Sequence, residues 1–191
     1  GLGKALKPIT HPLRRKIPIF IGAEGPKNVT QTAEIADGWF PLYYSPWRQD
    51  VYADQLTGAS DDFQIAVICP FVVTGPTEAE IAEGLAGIRM MLAFYIGGMG
   101  AEGQNYHTKL ASRMGLGDAA LEIQRKFLGG DQAGAIDAVP ASFADEIALV
   151  GPPERIKERL SVWRDSPVTT LLIHASDSHG LQTAAELVLE G

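Results

Sequence analysis

The chain has 191 residues, of which 46% are hydrophobic and 20% are charged, a composition typical of a folded globular domain and not of a disordered or fibrous chain. The net charge is −7, but the first 16 residues hold five basic side chains and no acidic one. The rest of the chain, with 11 basic and 23 acidic residues, therefore carries −12. Because an acidic body repels phosphate backbones, we expect no nucleic-acid partner.

The single cysteine, Cys69, excludes an internal disulfide and is typical of a reducing compartment, so we expect a cytoplasmic protein in which this residue is buried. The segment 1–16 contains no uninterrupted apolar stretch of the kind that a secretory signal needs. The longest apolar run, 90–101, holds three glycines and is shorter than the ~20 residues that span a bilayer. We therefore expect no membrane partner.

The first part of the chain alternates between strand and helix patterns. The apolar run 17–21 predicts a strand, and Pro26 then suits the first position of a helix that ends before Gly38. A second strand is predicted over 39–43, a helical segment from Pro46 to about 56, and a third strand over 63–73.

The second part contains a long connection, 74–167, before the last predicted strand, 168–174. Apolar residues at helical spacing predict a long helix from Thr77 onward, with Ile81, Leu85, Ile88, Leu92 and Ile96 on its inward face. A glycine-rich turn follows at 97–103, then short helices near 107–114, 118–128 and 131–138. The pair Pro152–Pro153 starts another helix, with Ile156, Leu160 and Trp163 inward, and a last helix is predicted over 181–189.

Alternating strands and helices predict an α/β fold with a parallel sheet and right-handed crossovers. A closed barrel of this kind needs eight strands and about 250 residues, whereas only four strands are predicted here. The sequence therefore predicts one half of a TIM-barrel-like fold, with 74–167 as a helical insertion near the ligand side. The open edges at 17–21 and 168–174 predict that the chain is not a free monomer but a homo-oligomer, or is paired with a missing N-terminal half.

The strongest candidate site is the segment 22–28, Gly-Ala-Glu-Gly-Pro-Lys-Asn, between the first strand and the first helix. Glycines let a ligand approach the backbone, and free N–H groups at the start of a helix attract phosphate. Lys27 adds a positive charge, whereas Glu24 opposes an anion unless its side chain points away. The alternative is an ordinary strand-to-helix turn that uses glycine only for its tight geometry.

Further candidates follow the second and fourth strands. Tyr44 and Ser45 lie where barrel enzymes place ligand contacts, although for Ser45 the commoner role is to cap the helix that Pro46 opens. His174 ends the last strand and is a candidate proton donor lining the pocket or a structural histidine. His174 and His179 lie near Asp177, but the spacing matches no known zinc pattern, and we expect no metal site.

Several segments, in this order and spacing, resemble the luciferase-like monooxygenase superfamily, and within it the oxidoreductases that depend on the deazaflavin coenzyme F420. These segments are IPIFIGAEGPK (17–27), EIADGW (34–39), AFYIGGMG (93–100), LVGPPERIKERL (149–160) and VTTLLI (168–173).

The resemblance implies a (β/α)8 barrel of which residues 1–191 would be the C-terminal half. It implies that the anionic tail of F420 meets the loop Gly22, Ala23, Glu24 and Gly25 together with Lys27, and then Tyr44 and Ser45. It also implies that the region 95–106 faces a small organic substrate, through Tyr95, Met99 and Tyr106, with Asn105 and His107 beside them. The alternative is that the glycines of this region only end the long helix and permit a reversal of the chain. His174, at the end of the last predicted strand, is a further substrate-side candidate. The catalytic acid and base are expected in the absent half and are not assigned.

The reaction implied for the whole enzyme is the transfer of a hydride between F420 and the small substrate. Two alternatives stay open on sequence grounds. One is an FMN-dependent monooxygenase of the same superfamily, which would use the same phosphate loop. The other is a catalytically inactive half-barrel that acts only in assembly. The chain begins at Gly1 instead of a methionine, which indicates a truncated or processed protein.

Overall fold

A computed structural model describes Gly3, Ile9, His11 and residues 13–189; the basic residues Lys4 and Lys7 lie outside the described part. The strands are β1 (Phe20–Ile21), β2 (Gly38–Trp39), β3 (Gln64–Val73), β4 (Leu149–Gly151) and β5 (Thr170–Ala175). The α-helices are α1 (Pro26–Ile35), α2 (Glu78–Ala93), α3 (Tyr106–Ala111), α4 (Gly117–Leu128), α5 (Gln132–Asp137), α6 (Ala141–Glu146), α7 (Pro153–Arg164) and α8 (Ser178–Leu189). The α/β fold that the sequence predicts is confirmed.

All strands pair in parallel around the central strand β3. β1 pairs with β2, and β2 pairs with the start of β3, where Trp39 is the partner of Ile65. β5 runs along β3 from Ala66 to Phe71, and β4 pairs with its last residues, from Phe71 onward. Because Phe71 has a partner in both β4 and β5, these two strands lie on opposite edges of β3. Because every pairing is parallel, the carboxyl ends of all five strands point toward the same end of the sheet.

The two faces of β3 have different surroundings. Ile65, Val67, Cys69 and Phe71 are buried by the helices, and the predicted burial of Cys69 is thereby confirmed. On the opposite face, Ile68 is 40% exposed and its register partner Leu172 on β5 is 42% exposed. Strands of parallel sheets are normally covered on both faces, so this second face, which we call the bare sheet face, is unusual in being open.

The connection between β3 and β4 is helical, as predicted. Thr77 and Glu80 form a reciprocal capping box at the start of α2, and the inward residues Leu85, Ile88 and Leu92 are buried. A π-helical turn, Phe94–Gly98, continues α2. The absence of side chains at Gly97 and Gly98 lets Phe127 approach the backbone of this turn closely. Together α2 and this turn form a 21-residue helix, Glu78–Gly98, whose most apolar 18 residues have a mean hydropathy of 1.2.

By length and composition alone that helix could cross a bilayer, because it begins well before the apolar run 90–101 on which the expectation of no membrane partner was based. Only a third of its most apolar 18 residues are buried in this structure. The buried third contacts the core that the sheet and α4 to α6 share, which is the way a core helix of a globular protein packs.

Several predicted boundaries differ from the structure for identifiable reasons. The first two strands pair over only two residues each, because Pro18 and Pro41 lack the N–H that a ladder needs. The predicted helix 46–56 consists of two 3₁₀ segments, Gln49–Tyr52 and Asp54–Leu56. Hydrogen bonds between residues three apart, such as that from the Val51 N–H to the Arg48 carbonyl, form these turns. The short elements β4 and α6 were not predicted.

Candidate functional site

The loop 22–25 connects the end of β1 to the start of α1 and is fixed by two long-range hydrogen bonds. The buried indole Nε1 of Trp39 donates to the carbonyl oxygen of Ala23 over 2.8 Å. The guanidinium of Arg113, from the π-helical turn Ser112–Leu116, donates to the carbonyl oxygen of Glu24 over 3.2 Å. Both carbonyls are held inward by these bonds, which fixes the loop at the carboxyl rim of the sheet.

The first turn of α1 lacks a side-chain cap. Gly25 occupies the N-cap position and has no side chain, and Pro26 follows at the first helical position. The N–H groups of a first helical turn have no partner within the helix, so those of Lys27 and Asn28 are available to a ligand from outside. Both residues are exposed.

A groove lies beside this loop and consists of two neighbouring cavities. The first has a volume of about 410 Å³ and the second about 360 Å³, and Asn28 and Tyr106 line both. We call the two together the loop groove. The first is lined by Gly22, Ala23, Glu24, Asn28, Phe40, Pro41, Leu42, Ile68, Tyr106 and His107, and the second by Gly25, Pro26, Lys27, Asn28 and Tyr106.

The helical connection between β3 and β4 supplies one wall of the loop groove. Asn105 caps α3 by accepting the N–H of His107 over 2.8 Å, which places Tyr106 and His107 at the start of that helix. Tyr106 is 66% exposed, and its ring lies 3.6 Å from the position that a Cβ on Gly25 would take. The loop after β1 and the insertion, distant in sequence, therefore face each other across the groove.

Glu24 does not point away from the groove. Its Oε1 accepts the backbone N–H of Leu42 over 2.7 Å, while Oε2 is buried and has no hydrogen-bond partner within the described part of the chain. Burial raises the pKa of this carboxyl from 4.5 to about 7, against the smaller lowering effects of the Leu42 hydrogen bond and the Arg113 charge. A carboxyl group that is about half protonated at neutral pH thus forms part of the cavity wall.

His107 is the second titratable group of this wall. Its Nδ1 is buried without a partner among the described residues, and burial lowers the pKa of the imidazole. The ring packs against Tyr95, with 5.2 Å between ring centroids, and against Tyr43 at 5.8 Å. Perturbed titratable groups that share one cavity are a feature of functional sites.

Tyr44 and Ser45 do not line the loop groove. Both are buried; the Tyr44 hydroxyl donates to Oε1 of Gln49 over 3.2 Å. The Ser45 hydroxyl donates to Glu146 over 2.8 Å and accepts the backbone N–H of Trp47. The hydroxyl of Ser45 thus caps its own turn, which is the structural one of the two roles that the sequence allows.

The residues predicted to face the substrate do not lie together in the structure. Tyr106 lines the groove, whereas Tyr95 lies behind the His107 ring, and Met99 is half exposed on the turn after the π-helix. His174 is exposed on the bare sheet face, in register with Pro70 of β3. Within residues 13–189 and the three isolated described positions, no group of three potential metal ligands comes together.

Sequence reasoning missed Leu42 and Arg113, which fix Glu24, as well as Phe40 and Ile68 in the cavity wall. Leu42 acts through its backbone N–H, which no residue type reveals. Arg113 lies 89 residues from Glu24 in the chain. Of these residues, only Ile68 could have been predicted to lie on the bare sheet face, because successive side chains of a strand alternate and Ile68 therefore points away from the face of Val67.

A parallel sheet with helices on one face and a glycine loop opening on a groove at its carboxyl rim defines an α/β protein of the TIM-barrel type. The family model for luciferase-like monooxygenases matches residues 4–170. The chain belongs to this family, and the resemblance stated from the sequence is confirmed.

A similar protein of Mycobacterium tuberculosis, whose name provisionally assigns it to the coenzyme F420-dependent oxidoreductases, is 40% identical over 197 aligned residues. The alignment covers 98% of this chain but 56% of that protein. The chain thus spans little more than half the length of its relative.

Solved structures show the same fold. The coenzyme F420-dependent tetrahydromethanopterin reductase of Methanopyrus kandleri matches with a TM-score of 0.62 and 21% identity, over 90% of this chain and 49% of that one. An F420-dependent secondary alcohol dehydrogenase, solved with an F420–acetone adduct, matches with a TM-score of 0.54 and 10% identity, over 92% of this chain and 48% of that one.

Proposed function

We propose that this chain is the C-terminal half-barrel of an F420-dependent oxidoreductase and that the loop groove holds the anionic tail of the coenzyme. The observation that carries the proposal is the uncapped start of α1 at Gly25, open to a groove in a chain 40% identical to the M. tuberculosis protein. In the whole enzyme, the reaction would be hydride transfer between the coenzyme and a small organic substrate.

The residues of the loop groove fit an anionic tail. Side-chain-free positions at Gly22 and Gly25 keep the backbone accessible, since a Cβ on Gly25 would stand between the loop and the Tyr106 ring. The N–H groups of the first turn of α1 and the positive end of the helix dipole favour negative charge. Lys27 and the Asn28 amide supply further donors at the same rim.

The contribution of this chain is to bind and orient. The bonds from Trp39 to Ala23 and from Arg113 to Glu24 hold the loop in one conformation, so little freedom is lost when a ligand binds. Bound F420 supplies the hydride chemistry itself, as cofactors generally do. Tyr106, exposed beside the groove, would cover the bound tail.

The bare sheet face supports the proposal that this chain is one part of a barrel. Ile68 and Leu172 are neighbours on it, and the rest of a barrel, nearly half the length of the relatives, would cover them. We propose that the catalytic acid and base lie in that other part. A reducing, cytoplasmic location is consistent with the one buried cysteine.

Titration of the chain with F420, followed by deazaflavin fluorescence and repeated with FMN, tests this function. We expect saturable F420 binding, and we expect Gly25→Leu to weaken it by about tenfold or more, because the new side chain fills the space between loop and ring. Gly87→Leu is the matched control, since Gly87 is exposed on α2 with nothing within 4 Å of its Cβ position. Binding of FMN alone, or equal effects of both variants, would contradict the proposal.

A further inference from the structure

We propose that Glu24 takes up a proton when an anion enters the loop groove, so that binding of the coenzyme tail is coupled to the protonation of this carboxyl group. This inference rests on the proposed function of the groove and deepens it, because it assigns to Glu24 a role in regulating affinity by pH. Its basis is that a carboxyl group is held in the wall of a cavity that otherwise suits negative charge.

The position of the carboxyl is fixed from two sides. The Leu42 N–H holds Oε1 at 2.7 Å, and the Arg113 guanidinium holds the backbone carbonyl of the same residue. The side chain therefore cannot swing out to solvent without breaking the first of these bonds. Its other oxygen, Oε2, is closed off from solvent and has no partner among the described residues.

The charged and titratable groups around Glu24 do not neutralise it. Arg113 donates a hydrogen bond to the backbone carbonyl of Glu24 and not to its carboxyl oxygens, and Lys27 lines the neighbouring cavity, exposed to solvent. On the remaining sides are His107 from α3 and the buried hydroxyls of Tyr43 and Tyr52. Burial lowers the pKa of the histidine and raises the pKa of both tyrosines, so all three are neutral near pH 7.

An ionised Glu24 and a bound anion would repel each other through a poorly solvated cavity wall, where charges are weakly screened. Protonation removes the repulsion, and it is easily reached near neutral pH because burial has already raised the pKa of the carboxyl to about 7. An anion in the groove should therefore bind more strongly to the protonated form.

The test measures F420 affinity between pH 5.5 and 8.5 for the full chain, for Glu24→Gln and for Glu34→Gln. Glutamine keeps an acceptor for the Leu42 N–H and cannot ionise. Glu34 is an exposed residue near the carboxyl end of α1 and controls for the loss of one negative charge from the protein. Any titration of the coenzyme itself is common to all three proteins and cancels in their ratios.

Relative to Glu24→Gln, the unmodified chain should lose affinity by up to about fivefold over the first pH unit above the midpoint of Glu24, while Glu34→Gln follows the unmodified chain. Parallel pH profiles for the unmodified chain and Glu24→Gln would overturn the inference and leave the proposed function intact. Absence of F420 binding in all three proteins at every pH would overturn both.

A second measurement needs no substitution. In the unmodified chain, the ¹³C shift of the Glu24 carboxyl, followed against pH, should give a midpoint near neutrality that moves upward when sulfate, an anion of constant charge in this range, is added. A midpoint near that of an ordinary glutamate, or one that sulfate leaves unchanged while the loop amides respond, would overturn the coupling.

Discussion

Replacing Glu24 by glutamine should make the protein more stable above neutral pH and leave its stability nearly unchanged in acid. The folded protein holds the Glu24 proton up to about pH 7, whereas an unfolded chain releases it near 4.5. Between these values the unfolded state binds fewer protons, so the stability of the unmodified protein falls as the pH rises. At 1.36 kcal/mol for each unit of pKa, the full loss is about 3 kcal/mol.

The assay is urea unfolding at pH values from 4 to 8.5, followed by the fluorescence of Trp39 and Trp163, which are 0% and 2% exposed. The stability of Glu24→Gln relative to the unmodified chain should rise from near zero at pH 4.5 to about 3 kcal/mol at pH 8. Glu34→Gln, with an exposed glutamate, should show no such rise. A difference that does not change with pH would refute the reasoning that burial holds the proton on Glu24.

Three further substitutions test what fixes the site. Trp39→Phe removes the indole N–H and leaves the Ala23 carbonyl unpaired, so urea unfolding should show a loss of about 1–3 kcal/mol and weaker F420 binding. Arg48→Met leaves Glu146 half-buried without its double hydrogen bond and should lower the free energy of unfolding by about 3 kcal/mol. Leu172→Lys places a charge on the bare sheet face and should reduce self-association of the chain in sedimentation velocity.

Each has an exposed counterpart as its control. Trp47→Phe, at a site that is 43% exposed, should cost little stability. Arg125→Met breaks a surface pair with Glu122 and should cost less than about 1 kcal/mol. Leu121→Lys, on α4 and away from the sheet, should leave sedimentation unchanged. Equal losses in the free energy of unfolding for a substitution and its control would contradict the roles given to Trp39 and Arg48. An unmodified chain that sediments as a monomer would contradict the role given to the bare sheet face.

The fold was predictable where periodic apolar patterns are long. The inward residues of α2 and α7 were readable because a helix that packs on a sheet repeats its apolar side chains every three or four residues. Short elements carry too few residues for any period to show, which is why the three-residue β4 was missed and the two first strands were predicted too long. Pro18 and Pro41, which lack a backbone N–H, further limit the pairing of these two strands.

The site was predictable in one of its two walls. Gly25, followed by Pro26 and Lys27, indicates the start of a helix. This could be predicted because residues adjacent in sequence determine where a helix begins. The opposite wall depends on how the insertion folds back, and the contact of Tyr106 with the loop has no local signature. The resemblance placed Tyr95, Met99 and Tyr106 together, whereas the structure turns only Tyr106 toward the groove. The burial of Glu24 likewise depends on Leu42 and Arg113, which are distant in sequence.

The central claim, that an anionic coenzyme tail binds at the loop after β1, is tested most directly by amide NMR spectra of the full chain during titration with F420. The account predicts that the largest shifts fall on the N–H groups of Gly25, Lys27 and Asn28, with Tyr106 responding across the groove. Shifts confined to the apolar cavity of about 310 Å³ between α7, β5 and α8, lined by Trp163 and Leu171, would contradict it.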